Sequence, residues 1–165
     1  MADWEWDFFV SYTQADGAWA EWIAWQLERD GYRVLIQAWD MVPGSNWMHR
    51  MQDGVRRAGR TVVVLSAAYV ESGFAAAEWQ AAWREDPLGQ NRKLLVFRVA
   101  ECERPGLLAG VVSVDLFEVG EATARARVRS AIRSAVVGRA KPAGEPGFPS
   151  SAPVVPRFPG GLPEV

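Results

Sequence analysis

Apolar positions along the chain alternate between short unbroken runs and stretches where they recur every three or four residues. Residues 6–12 (WDFFVSY) form a run that reads as a buried strand, and residues 32–36 (YRVLI) form a second, shorter one. Residues 61–66 (TVVVLS) hold no polar residue inside the run, as expected of a central strand covered on both faces. Residues 93–99 and 113–116 read as a fourth and a weaker fifth strand.

Between these runs the period is helical. Residues 17–30 place Trp19, Ile23 and Leu27 on one face and stop at Gly31. Residues 47–58 follow Asn46 as N-cap, with one weak point at Gly54. Residues 68–85 read as a single helix stopped by Pro87, residues 105–110 as a short helical turn, and residues 121–137 as a closing helix. Strands each followed by a helical piece predict an α/β fold: a flavodoxin-like five-stranded parallel sheet of order 2-1-3-4-5 with helices on both faces.

The pattern ends at Gly138. Beyond it Pro142, Pro146, Pro149, Pro153, Pro156, Pro159 and Pro163 are interleaved with Gly and Ser, a composition that favours an extended linker. The expected organisation is one domain over residues 1–137 and a linker over 138–165 leading to further domains. No internal repeat is visible.

Composition narrows the function. Of 165 residues 49% are hydrophobic and 12% aromatic, which excludes a disordered chain. A net charge of −2 gives no reason to expect nucleic acid or an anionic membrane as partner. The lone Cys102 and lone His49 leave no disulfide framework and no Cys/His zinc site, so no metal is expected. The acidic start lacks a signal-peptide pattern and no apolar stretch approaches membrane-spanning length, so the expected location is cytoplasmic.

In an open parallel sheet, ligands bind beyond the carboxyl ends of the strands where the strand order reverses, here between the first and third. Those ends carry Ser11, Tyr12 and Ser66, and the helix of residues 68–85 starts from the same rim. A long connection, residues 37–47, carries Trp39, Trp47 and a tight turn at Pro43-Gly44. Its tryptophans either staple the loop to the body or meet a partner or a ligand ring. No Gly-x-Gly-x-x-Gly follows the first strand and no Gly-x-x-x-x-Gly-Lys-Ser/Thr occurs, so the usual phosphate cradles are missing. A nucleophilic serine would have no base beyond His49, which lies in the second helix.

One carboxylate stands out. Glu78 sits in SGFAAAEWQAAW with Phe74, Ala75, Ala81 and Ala82 as its helical neighbours, so no cation on its own helix can pair with it. For an arbitrary helix such a residue faces water. Its place near the rim points it into the crevice instead.

Three motifs, in order, carry a resemblance: Phe8-Phe9-Val10-Ser11-Tyr12; Asp40-x-x-Pro43-Gly44; and Val64-Leu65-Ser66-x-x-Tyr69-x-x-Ser72-x-Phe74-x-x-x-Glu78. Over residues 4–137 the chain resembles a Toll/interleukin-1 receptor (TIR) domain of the bacterial type, N-terminal in a larger protein. The resemblance implies NAD+ as a substrate rather than a cofactor, with cleavage of the nicotinamide–ribose bond and Glu78 as the catalytic carboxylate. It implies that Phe9, Ser11, Tyr12 and Ser66 line the site, that Phe74 stacks on the substrate, and that Trp39 and Trp47 are walls or loop contacts. The family often has tryptophan and cysteine where Phe74 and Ala75 stand here. It further implies other TIR domains as partners, through the loop of Asp40, Pro43 and Gly44, and a role in immune or defence signalling. The alternative is an adaptor that signals only through TIR-to-TIR contacts.

Overall fold

The computed structural model describes residues 4–149, except for the side chains of residues 73–77. Five strands, β1 (Trp6–Ser11), β2 (Val34–Ile36), β3 (Ala58–Leu65), β4 (Leu94–Arg98) and β5 (Ser113–Asp115), form one parallel sheet of order β2-β1-β3-β4-β5. The order predicted from the alternation of runs is the one observed. β1 meets β2 through Phe9↔Leu35 and β3 through Ser11↔Val63.

Alternation along the strands divides the core. Phe8, Val10, Val62 and Val64 face one side, under α1 (Gly17–Arg29) and α6 (Glu121–Val137), whose Ile23, Leu27, Val128 and Ile132 are fully buried there. Each such side chain contributes roughly 1.5–3 kcal/mol. Phe9, Ser11, Val63 and Leu65 face the other side, under α3 (Trp47–Arg57), α4 (Ala67–Glu71) and α5 (Gly73–Glu85).

Gly54, which looks like a weak point in the sequence, is what lets α3 lie on the sheet. A Cβ there would stand 2.3 Å from Leu35 Cδ2 and 3.3 Å from Phe9 Cδ2. The helix runs into β3 with no loop, since Ala58 both ends α3 and begins the strand, three residues before the start expected from the run of residues 61–66.

The expected single helix over residues 68–85 is two helices. Ser72 between α4 and α5 has φ −80° and ψ 111°, and its N–H donates to the Tyr69 carbonyl at 3.2 Å. Serine and glycine are both poor residues for a helix interior, and the Ser72-Gly73 pair ends the winding even though the surrounding alanines favour it.

The connection after β2 also differs from the expected plain loop. It opens with a one-turn helix, α2 (Gln37–Asp40), closed by Asp40 Oδ2 accepting from the Ile36 N–H at 2.8 Å. At the far end, α6 stops at Gly138, which adopts the left-handed φ of 89°. From there to Pro149 the chain is exposed and carries no helix or strand. Among the described residues, no helix is long and apolar enough to cross a membrane.

Candidate functional site

β1 ends at the rim with Ser11, 1% exposed and turned toward the α4/α5 side. Its hydroxyl donates to Glu78 Oε2 from α5, and the Tyr69 hydroxyl from α4 lies 2.9 Å from Ser11 Oγ. Glu78 is partly buried, so the chain of Tyr69, Ser11 and Glu78 runs from the core to the edge of the crevice.

Burial pushes the Glu78 carboxyl up to about 7, and the Ser11 hydroxyl, which favours the charged form, only partly opposes it. The Tyr69 phenol is raised, chiefly by burial, against the Ser11 hydrogen bond. Tyr12 is raised as well: burial leads, the Ala38 backbone opposes it, and the charges of Glu21 and Glu78 add to it. A carboxylate in this setting is poised to ionise near neutrality and meets little water that would dilute its field.

Ser66 is tied up elsewhere on the same rim. Its hydroxyl donates to Asp16 Oδ2 while its oxygen accepts the Tyr69 N–H at 3.2 Å, capping α4. Asp16 also accepts from Thr13 Oγ1 at 3.1 Å. Ser66 therefore holds the start of α4 and the β1–α1 connection together.

The structure thus brings Ser11, Tyr12 and Glu78 to one place, with Ser66 beside them. Phe9 is 0% exposed and packs with Leu35 and Ala58 under α3, so it supports the floor from beneath and offers no surface to a ligand. Trp39 belongs to the α1 side: its Nε1 donates to Glu21 Oε1 at 2.8 Å and its ring meets Trp25 edge-on at 6.4 Å. The indole is stapled to the body by these contacts. Trp47 remains 47% exposed, beside exposed Val42 and Met48. Asp40 closes α2, Arg50 Nη1 reaches its carbonyl at 3.2 Å, and Pro43 and Gly44 form an exposed turn with Gly44 at φ 91°. The side chain of Phe74 lies outside the described residues.

Reading the sequence passes over Asp16 and Glu21, and treats Tyr69 only as part of a motif. Asp16 was findable, because it stands just after the carboxyl end of β1, where the switch-point rule already points. A cleft of about 950 Å3 lies elsewhere, between Trp83, Leu94, Leu107, Val114 and Ala135. It runs along β4 and shares no lining residue with Ser11, Tyr12, Ser66, Tyr69 or Glu78.

Comparison with known proteins follows the geometry. A family model described as TIR domain matches residues 8–130. The TIR domain of the Toll-related receptor TRR-2 from Hydra magnipapillata superposes with a TM-score of 0.63 at 20% identity, covering 79% of this chain and 98% of that one. A metazoan TIR-STING receptor from C. gigas gives 0.64 at 17% identity over 79% of this chain and 41% of its own. A prokaryotic SEFIR domain gives 0.53 at 15% identity, covering 87% and 98%. No curated protein matches. With a family model matched over most of its length, the chain belongs to the TIR domain family.

Proposed function

We propose that the chain is an NAD+ nucleosidase that cleaves the bond between nicotinamide and ribose when copies of it associate. The observation that carries this reading is Glu78: a partly buried carboxyl at the carboxyl ends of β1 and β3, held by Ser11, with a protonation midpoint pushed up to about 7.

The chemistry needs only one carboxylate. Ordinary glycosidases use two, because the leaving oxygen must be protonated while the sugar is attacked. Nicotinamide in NAD+ is a cationic pyridinium. When the C1′–N bond breaks, its electron pair passes to the ring nitrogen and nicotinamide leaves neutral, so no general acid is required. Positive charge develops on the ribose, and ionised Glu78 stabilises it through a field that dry surroundings strengthen. A nucleophile then adds to C1′: water gives ADP-ribose and one released proton, whereas a nitrogen of the substrate's own adenine gives a cyclic isomer.

The test is nicotinamide release from NAD+ by the chain fused to an oligomerising partner. Release that disappears in Glu78→Ala and persists in the exposed-surface variant Arg133→Ala supports the enzyme. No release in any assembled state removes it.

The second reading is a non-catalytic adaptor in signal transduction. Exposed Val42, Trp47 and Met48 next to the Pro43-Gly44 turn favour it, since such a patch suits contact with another TIR domain. Self-association belongs to both readings, so only the release assay separates them.

A further inference from the structure

Ser11 has one hydroxyl proton, and it is donated to Glu78 Oε2. The Tyr69 hydroxyl stands 2.9 Å from the same Ser11 oxygen. When Glu78 is ionised it can only accept, so the Ser11 proton goes to it and the Tyr69 O–H donates to Ser11 Oγ. We propose that Tyr69 is a positioning residue for Glu78. Its hydroxyl holds Ser11 in the rotamer that donates to Oε2, anchoring one carboxylate oxygen and leaving Oε1 for the ribose hydroxyls. The proposal rests on the NAD+-cleaving reading for its catalytic consequence, but its structural content stands independently.

The surroundings suit the role. Tyr69 is 2% exposed and packs in one cluster with Val63, Leu65 and Trp79, the residue next to Glu78. Its N–H is donated to Ser66 Oγ, so its backbone is pinned as well as its ring. A hydroxyl on so fixed a ring can orient a serine with little further entropic cost. Among the described residues, the ionisable groups coupled to this chain of hydroxyls are Glu78 itself and the Tyr12 phenol, and no cation forms an ion pair with the carboxylate. Donation from Tyr69 also polarises the Ser11 hydroxyl, making it a better donor to Glu78.

The test follows the Glu78 side-chain carbonyl carbon by NMR through a pH titration, in the wild-type chain, Tyr69→Phe, Ser11→Ala and the double variant. Tyr69→Phe is expected to raise the Glu78 midpoint by roughly half to one pH unit, because the charged form loses support. Ser11→Ala raises it at least as far. In the double variant Tyr69→Phe adds nothing, since its route to Glu78 is gone. In the assembled chain Tyr69→Phe lowers the turnover of nicotinamide release by about three- to tenfold with KM changed less than about twofold.

Should Tyr69→Phe fail to fold, a ring-fluorinated tyrosine at position 69 keeps the ring and donates more strongly, and the Glu78 midpoint moves down. A midpoint unmoved in Tyr69→Phe, or moved equally with and without Ser11, overturns the proposal. A shifted midpoint in a chain that releases no nicotinamide in any assembled state upholds the positioning role and removes only the nucleosidase reading.

Discussion

Ser11, the last residue of β1, donates its hydroxyl proton to Glu78 of α5 across 67 residues of sequence. The bond ties a side chain on a central strand to a carboxylate that would otherwise have only apolar or small helical neighbours. It makes Glu78 part of the switch-point rim, and its consequences can be measured.

Replacing the carboxylate should separate activity from stability. Glu78→Gln keeps the shape and can still accept from Ser11, but it cannot carry charge. Nicotinamide release by the assembled protein is expected to fall by about 100-fold or more, as when a main electrostatic stabiliser is removed. The folded-state midpoint of Glu78 lies above its unfolded value of 4.5, so its favourable contribution is complete below 4.5 and is lost as pH rises through about 7. Glu78→Gln should therefore unfold at a higher temperature than the wild type at pH 8, by the equivalent of about 1–3 kcal/mol, with the difference vanishing near pH 4. Calorimetry at the two pH values checks it.

On the nucleosidase reading, the same group sets the pH dependence of turnover. Because the ionised form is the working one, release should rise with pH through a midpoint near 7 and level off above it. A rate profile from pH 5 to pH 9 on an assembled fusion reads this directly, and a midpoint near 4.5 would assign the limb to an exposed carboxylate.

Much of this architecture is legible before any coordinates. The β-branched run of residues 61–66 marks the central strand, and the alternation of runs gives the sheet order. The switch-point rule then leads to Ser11, Ser66 and the helix that carries Glu78. What escapes the sequence depends on contacts between distant residues. The Tyr69–Ser11 bond spans 58 positions, and nothing local signals it. Trp39 is drawn to the α1 side by Glu21, a partner no loop pattern reveals. Gly54 looks like a flaw in a helix until Leu35 and Phe9 are seen beneath it.

Gly54 therefore carries a prediction opposite to helix propensity. On propensity alone Gly54→Ala gains up to about 1 kcal/mol. Here the added methyl meets Leu35, and since Leu35 and Phe9 are both buried the contact is relieved by displacing the Leu35 side chain from its packing or by lifting α3. A net loss of about 1–3 kcal/mol is expected from the overpacking, read by urea unfolding.

The exposed patch at the start of α3 should govern association. Replacing Trp47 and Met48 together with serine removes apolar surface without touching the core, so the folding midpoint should stay within about 0.5 kcal/mol of the wild type. Sedimentation at rising concentration should then show weaker self-association. In a fusion that forces assembly, release of nicotinamide should survive, which distinguishes a docking role from a catalytic one.

α6 carries the chain away from the crevice. Ala135, near its end, accepts from Arg92 Nε at 2.6 Å and lies within reach of Arg60 at the amino end of β3, so Gly138 emerges at the end of the sheet remote from Glu78. Cargo joined after Gly138, whether a fused oligomeriser, a fluorophore or a surface tether, hangs from the back of the molecule. The rim that carries Ser11 and Glu78 stays unobstructed, so copies gathered by their tails keep that rim open.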